Sequence, residues 1–320
     1  MTKIPPNRLI KVLPYDSHWS EQFTQEAQSI QKALGPNCIE IHHIGSTAVP
    51  GLAAKPVIDM IPVVLDITQV DAMNSLMAAL GYEAKGEFGM LFRRFFQKGD
   101  TQPSFNVHVF EQGSSEIERH MKFRDWMREH PEDRDAYAQL KQDLAQLHPD
   151  DISAYCFGKE NFVSGVDKRT GCLGLRVVKA LTPREWSAVC HFRQLYFFER
   201  MGLTDPYTLT FEHDAHLHFV LYQGTEIIGY AHLQLWPDGR VAMRVIVIDE
   251  TKRNHHYGHQ FLLFCERWLK EQGCKSLHVE SSPETLEFYQ RNGYIKMQFN
   301  DPDGYEGNPQ DTALGKILSG

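Results

Sequence analysis

One segment constrains the fold more than any other, because it runs from a buried strand through a short loop into an amphipathic helix. The strand covers residues 240–248, and the helix ends at Gly273. The apolar face of this helix carries Phe261, Phe264, Cys265 and Trp268. The first N–H groups of a helix have no intrahelical partner, and the helix dipole adds partial positive charge there. The segment therefore predicts an anion-binding site where the loop meets the helix.

The elements around this segment predict a sheet covered by helices. Thr182 to Glu185 form a capping box with a first-turn proline, which starts a helix that ends near Gly202. Tight turns between successive strands at 216–248 predict a β-meander. The flanking strands and the last helix are expected at 175–181, 216–222, 226–236, 277–281 and 283–292.

The loop before the long helix resembles a signature of the GNAT family of N-acetyltransferases. It reads Arg253-x-x-His256-x-Gly258, and the family has Arg/Gln-x-x-Gly-x-Gly/Ala between its fourth strand and third helix. His256 stands where the family has its first glycine, so a β-carbon at that position must not crowd a bound phosphate.

A second motif extends the resemblance to the end of the chain. Phe288-Tyr289, followed by Gly293-Tyr294, matches the end of a later GNAT motif. The resemblance covers about residues 174–320 and implies the acyl-CoA N-acyltransferase fold.

The resemblance implies acetyl-CoA as co-substrate. Backbone amides of the first helical turn would hold its pyrophosphate, and the backbone of the preceding strand would pair with the amides of its pantetheine arm. Ser282 stands where many family members have an asparagine that contacts the cofactor. The implied cofactor-binding residues are Ile246, Ile248, Arg253, His256, Tyr257, Gly258, His259, Ser282 and Phe288.

The implied reaction is direct attack of a primary amine on the thioester in a ternary complex. It needs a group that takes the proton of the amine and a proton for the departing thiolate. Tyr289 is the candidate proton donor, and its alternative role is that of a core aromatic residue. Glu280, at the end of a predicted strand, is the candidate base. Alternatively, Glu280 is a solvated acid at the end of the strand, and ordered water is the base.

The acceptor is suggested only by the acidic, turn-rich segment 300–311. If this segment folds over the acceptor site, it favours a cationic amine such as a polyamine, an aminoglycoside or a lysine side chain. The alternative is a solvated loop. Four histidines lie on neighbouring strands without a cysteine or carboxylate at ligand spacing, and we predict no metal there. They are His213, His216, His218 and His232.

The first half resembles the GrpB-like family, whose fold is similar to that of nucleotidyltransferases. The motif at 42–59 runs from His42-His43 through Gly45-Ser46 to Asp59, and the strand at 105–110 and the helix start at 116–120 also fit. The resemblance covers about residues 8–165. It implies a mixed sheet with helices. The residue pattern itself predicts a helix at 19–34, strands at 39–44, 57–64, 90–96 and 105–110, a helix at 73–80, and a helical stretch at 116–147 that Pro131 interrupts.

Nucleotidyl transfer is not expected from this half. The nucleotidyltransferase pattern places three acids around two Mg²⁺ ions, and here Ile61 occupies the place of the second acid while His108 stands on the strand of the third. Two other sites remain open. His43, Asp59 and His108 would form a transition-metal site, whereas Ser46, Lys55 and Arg94 would bind a phosphate. The third alternative is a domain that keeps the fold but has lost its catalytic activity.

Composition limits the remaining function classes. The chain has 320 residues and a formal charge of −8, with both halves acidic, which counts against nucleic acid as a partner. No apolar run reaches the roughly 18 residues of a membrane span. The six cysteines form no C-x-x-C pair, and the N-terminus has no continuous apolar core. We therefore expect reduced thiols in a cytoplasmic protein without a membrane partner.

These observations predict a two-domain α+β/α-β protein. Residues 1–170 would form the GrpB-like domain and residues 171–320 the GNAT domain, with a glycine-containing linker at 163–173. The leading hypothesis is an N-acetyltransferase with a small-molecule amine acceptor. The alternatives are a non-catalytic sensor or scaffold that binds CoA or a nucleotide, and a nucleotidyltransferase-like enzyme in the first half.

Overall fold

The computed structural model describes residues 9–99, 104–199, 202–206, 208–304 and 308–318. The chain divides into two compact units between Leu175 and Arg176. Each unit contains a mixed sheet with helices packed on it.

The N-terminal unit alternates helices and strands before a helical end. Its helices are α1 (His18–Leu34), α2 (Asn74–Ala79), α3 (Ser115–Glu129), α4 (Pro131–Leu147), α5 (Ile152–Gly158) and α6 (Glu160–Arg169). Its strands are β1 (Cys38–Ile44), β2 (Ile58–Val64), β3 (Tyr82–Ala84), β4 (Arg93–Lys98) and β5 (Phe105–Glu111). The predicted helix at 19–34, the strands at 39–44, 57–64 and 105–110, and the break at Pro131 are confirmed.

The sheet of this unit has the order β1-β2-β5-β4-β3. Only β2 and β5 run parallel, with Asp59 opposite Asn106. Helices α1 and α2 pack on one face through Ile30 and Met77, whereas α3 covers the other face near Ile61. The two faces of β2 are therefore both covered, which explains why this strand is apolar along most of its length.

The predicted linker at 163–173 is wrong for most of its length. Residues up to Arg169 belong to α6, and Val166 is fully buried against Val49, Met127 and Tyr137. Its neighbour Asp167 is also buried and accepts a hydrogen bond from Arg119 at 2.7 Å. Two glycines and mixed charge suggested a linker, but tertiary packing made this stretch part of a core.

The C-terminal unit is built around a long meander. Its helices are α7 (Pro183–Arg193), α8 (Tyr257–Glu271) and α9 (Leu286–Arg291). Its strands are β6 (Leu175–Lys179), β7 (His216–Gln223), β8 (Glu226–Leu235), β9 (Arg240–Ile248), β10 (Ser276–Ser281), β11 (Ile295–Lys296) and β12 (Thr312–Ile317). The predicted meander, the capping box at Thr182 and the helix that ends before Gly273 are confirmed.

The sheet of this unit has the order β11-β12-β10-β9-β8-β7-β6. Strand β10 lies parallel to β9 and antiparallel to β12, which the sequence did not predict. The helix that was expected to run to Gly202 ends as an α-helix at Arg193 and continues as a π-helical turn at Gln194–Phe198. Within the described residues, no helix is both long enough and apolar enough to cross a membrane.

Removal of the Asp167 carboxylate tests whether α6 belongs to the core. Asp167→Ala removes one carboxylate partner of Arg119, which still pairs with Glu116 at 3.3 Å, and loss of a hydrogen bond to a charged group costs about 1.5–3 kcal/mol. The free energy of unfolding should fall by that amount in chemical denaturation. Lys122→Ala on the same helix as Arg119 is the control, because its ion pair with Glu118 is exposed and contributes little to stability. Equal losses for both variants would contradict the burial of α6.

Candidate functional site

Strands β9 and β10 separate part-way along their length. Their parallel pairing runs from Ser276 opposite Arg240 to His278 opposite Ala242 and then stops, although β9 continues to Ile248. Over this stretch β9 remains paired with β8 on its other edge. Backbone groups of β9 beyond Ala242 therefore border an opening between the two strands.

A β-bulge coincides with this separation. Val245 pairs with His232 and Met243 pairs with Leu233, which leaves Arg244 as the extra residue of β9. Bulges bend a strand and increase its twist. The bulge thus gives a physical reason for β9 to turn away from β10 directly after Ala242.

The far end of the opening is the beginning of α8. Its first intrahelical hydrogen bond joins the N–H of Gln260 to the carbonyl of His256 at 3.0 Å, and His256 makes no side-chain capping bond. The N–H groups of Tyr257, Gly258 and His259 belong to the turn that has no intrahelical acceptor. Together with the helix dipole they can bind an anion.

His256 and Gly258 differ in how well a side chain fits at each position. His256 has φ 62°, in the left-handed region that glycine adopts without strain. A β-carbon on Gly258 would lie 3.6 Å from Phe288 and 3.7 Å from Ile248, which are ordinary contacts. The histidine therefore costs backbone strain, and alanine would fit at the second position.

The other loop residues hold the helix in place. Arg253 Nε donates to the carbonyl of Ile248 at 3.1 Å, and its guanidinium lies 5.2 Å from the ring of Tyr196. His259 Nδ1 lies 2.5 Å from Asn292 Oδ1, which connects α8 to α9. The side chains of Arg253 and His259 thus stabilise the loop and the helix pair, while the backbone is left for a ligand.

Tyr289 lies on α9 and is only 5% exposed. Its ring packs edge-on against Phe288 and Tyr294, with centroid distances of 5.2 and 5.3 Å. Burial, with the nearby Cys265 thiol, raises the pKa of Tyr289 well above its usual value. The phenol is therefore protonated at neutral pH.

Glu280 lies on β10 beyond the last residue that pairs with β9. Burial raises the pKa of its carboxyl, Arg244 opposes this rise, and Asp311 and Asp301 add to it. A higher pKa makes the carboxylate a stronger base.

Ser282 follows β10 directly and is half-buried. Its hydroxyl lies 3.2 Å from that of Thr285. This contact holds the side chain within its own turn.

The acidic segment after β11 packs on the sheet where the structure describes it. Asp301 has a side chain only 2% exposed and forms an ion pair with Arg244, and Asp303 accepts from Gln234 at 2.6 Å. Asp301 is therefore not a solvated loop residue. Residues 305–307 of this segment lie outside the described residues.

The histidines of β7 and β8 form hydrogen-bonded contacts with one another and with their neighbours. His216 Nδ1 lies 2.8 Å from His232 Nε2, and His218 Nδ1 lies 2.8 Å from the hydroxyl of Tyr230. Burial lowers the pKa of His218 to about 4. These rings are therefore neutral at physiological pH.

In the N-terminal unit, Gly45 and Asp59 form the centre of the predicted site. Gly45 has φ 70°, and a β-carbon there would lie 2.8 Å from Asp59 Oδ2, so only glycine fits. Asp59 accepts from Asn106 at 2.9 Å and lies 3.8 Å from His108 Nε2. Burial by itself raises the pKa of Asp59, but His108, Asn106 and Lys55 hold it below its usual value.

The predicted transition-metal site does not form. Across the described residues, no three His, Cys, Asp or Glu side chains are grouped closely enough to hold a metal ion. His43 instead stacks on Phe23 at 4.6 Å and bonds to Thr47, and burial lowers its pKa to about 4. His108 stacks on Phe95 at 4.9 Å.

The three residues of the predicted phosphate site each contact another residue. Arg94 is buried and makes two hydrogen bonds of 2.8 Å to Asp71, so its charge is balanced there. The ammonium of Lys55 lies 5.4 Å from the ring of Tyr155. Ser46 contacts Lys141 instead, a residue that sequence reasoning missed. A lysine among the buried positions of α4, between Tyr137 and Leu144, was the signal that could have found it.

Comparison with known proteins gives a family for each unit. The pattern of the GrpB protein family matches residues 9–169, and that of the acetyltransferase (GNAT) family matches residues 183–294. The UPF0157 protein YqkA of Bacillus subtilis is 43% identical over 163 residues, which cover 51% of this chain and 48% of that protein. The chain thus spans about half the length of this relative.

Two solved structures are similar to one unit each. GrpB from Enterococcus faecalis is 41% identical, with a TM-score of 0.48, and the match covers 50% of this chain and 96% of that one. An acetyltransferase of the GNAT family from Staphylococcus aureus is 15% identical, with a TM-score of 0.37, and the match covers 45% of this chain and 99% of that one.

Substitution of His256 by glycine should stabilise the protein. Removing left-handed strain of about 1–2 kcal/mol exceeds the entropic cost of glycine, about 0.5–1 kcal/mol, so the free energy of unfolding should rise. His255→Gly is the matched control, because its φ is not positive and only the entropic cost applies. Chemical denaturation of both variants measures the difference. A loss of stability in His256→Gly as large as that in His255→Gly would refute the strain.

Proposed function

The chain belongs to the GrpB protein family and carries a GNAT acetyltransferase domain after it, and from this premise we propose that it transfers an acetyl group from acetyl-CoA to a primary amine. We take the GrpB domain as residues 1–170 and the GNAT domain as residues 171–320. The acceptor we propose is a small molecule, with a cationic amine favoured by the acidic balance of the chain.

The observation that carries this proposal is the opening between β9 and β10, which leads to the uncapped beginning of α8. The β9 backbone at Ile246 and Ile248 would pair with the amides of the pantetheine arm. The N–H groups of residues 256–259 would hold the pyrophosphate. Phe288 packs beside Gly258 and closes this side of the site.

The reaction we propose is direct transfer. Acetyl-CoA supplies the thioester, so that the amine forms a bond to the carbonyl carbon while the C–S bond breaks. Tyr289, whose phenol is protonated at neutral pH, would supply the proton that the departing sulfur needs. Glu280 lies on the separated part of β10 and would accept the proton of the amine.

For the GrpB domain we infer a nucleotidyltransferase-like fold without nucleotidyl transfer. Gly45-Ser46 and Asp59 on adjacent parts of a mixed sheet support the fold. Ile61 is fully buried beside Ile44 and Phe110, so the position of the second acid lies in an apolar core. One carboxylate is too few for two magnesium ions.

The Tyr289→Phe variant tests the proposed transfer. Loss of the proton donor should lower kcat by about 10²-fold or more while leaving the KM for acetyl-CoA nearly unchanged. Thiol release from acetyl-CoA is measured with a panel of polyamines, aminoglycosides and peptides. Tyr294→Phe is the control, since this neighbouring ring is also buried. Acetyl-CoA binding without acceptor-dependent thiol release across the panel would favour a sensor instead.

The pH dependence of kcat/KM tests Glu280. Its carboxyl must be ionised to accept a proton, so kcat/KM should rise with pH through a pKa above the usual glutamate value. Glu280→Gln should remove this acid limb. Asp311→Asn should move the limb to lower pH, because the Asp311 charge raises the pKa of Glu280. An acid limb that survives in Glu280→Gln would assign the base to another group or to water.

A further inference from the structure

The N-terminal domain contains a buried lysine that the acetyl transfer does not use. Lys141 is 2% exposed and lies on the inner face of α4, one helical turn after Tyr137 and one before Leu144. Lysine is almost never fully buried unless it is paired. The contacts of Lys141 must therefore account for its burial.

The two hydrogen-bond partners of the Lys141 ammonium are uncharged groups. Its Nζ lies 2.8 Å from Ser46 Oγ and also bonds to the carbonyl oxygen of Ala53. The ring of Tyr137 lies 4.8 Å from Nζ on another side. Burial, followed by the charge of Lys159, lowers the pKa of Lys141 to about 7, and Asp59 opposes this shift. Near pH 7 the neutral form of the Lys141 amine, which can accept a proton, is thus accessible.

Ser46 is held in a fixed turn and is only half-buried. It begins the short 3₁₀ turn Ser46–Ala48, directly after Gly45, whose conformation only glycine adopts against Asp59. Arg128 donates to the Ala48 carbonyl at 2.7 and 3.1 Å and fixes the end of this turn. The Ser46 hydroxyl is therefore positioned against the Lys141 amine, on a residue that is only partly buried.

We propose that Ser46 and Lys141 form a nucleophile and base pair that cleaves an ester or thioester. A serine hydroxyl is a weak nucleophile until an adjacent base accepts its proton, and a neutral lysine within hydrogen-bond distance can be that base. This activity would lie wholly within the GrpB domain and is independent of the acetyl transfer.

The reaction balances with water as the second reactant. Ser46 Oγ forms a bond to the acyl carbon as its proton passes to Lys141 Nζ, and the bond to the leaving oxygen or sulfur breaks as that atom takes the proton from Nζ. Water then attacks the acyl serine and gives its proton to Nζ. The acyl–Oγ bond breaks, Ser46 regains the proton, and a carboxylic acid is released.

A fluorophosphonate probe tests this pair on the full-length chain. Attack by Ser46 forms an O–P bond, releases fluoride and transfers the hydroxyl proton to Lys141. Intact mass and peptide mapping should place one adduct on Ser46, and its rate should rise with pH through about 7 and then level off, because only the neutral amine accepts a proton. Ser46→Ala should remove the adduct, and Ser115→Ala should keep it.

Two lysine variants separate a base from a merely structural contact. Lys141→Met keeps most of the side-chain volume, and labelling should fall by about 10²-fold or more. Lys159→Met should keep the labelling but move its midpoint to higher pH, because the Lys159 charge lowers the pKa of Lys141. The thermal midpoint of each variant reports whether it folds.

Three results would overturn the proposal. The first is the absence of an adduct on Ser46 in the folded wild-type chain from pH 6 to 9. The second is a labelling rate in folded Lys141→Met equal to that of the wild type. The third is a pH midpoint that Lys159→Met leaves unmoved, and this readout decides the matter even if Lys141→Met fails to fold.

Discussion

Incomplete pairing of one strand is the constraint on which the rest of the C-terminal domain depends. A sheet normally satisfies the backbone groups of a central strand on both edges, yet β9 is paired with β10 only as far as Ala242. The bulge at Arg244 bends the strand away at that point. The Arg244 guanidinium contacts Asp301 and Gln234. The bulge at Arg244 thus accounts for the opening, and its side chain binds the acidic segment that packs on the sheet.

In the N-terminal domain, the backbone at Gly45 has a comparable role. Gly45 combines a positive φ with a close approach to Asp59, and the 3₁₀ turn that follows it presents Ser46 to Lys141. Burial then sets the protonation of the groups around it. It lowers the pKa of Lys141, while His108 and its neighbours keep Asp59 ionised. The turn positions the Ser46 hydroxyl and burial shifts the pKa of Lys141, and both effects prepare a side chain for reaction.

The predictions from the sequence succeeded where periodicity was strong and failed where packing decided. The meander, the capping box at Thr182 and the helix that ends before Gly273 follow from local patterns and are present. The stretch at 163–169 was mistaken for a linker because its pattern is weak, and its helix is stabilised by burial of Val166. Arg94 was placed near Ser46, but Asp71 binds it.

The sequence by itself determined the two families, the order of the main elements and the strand, loop and helix at residues 240–273, because these depend on residues close together along the chain. Only the tertiary structure decided where β9 leaves β10, why a histidine at position 256 strains the backbone, and which lysine contacts Ser46. Ser46 and Lys141 are 95 residues apart in the chain. No local pattern records such a contact, since it arises from the packing of a helix against a distant turn.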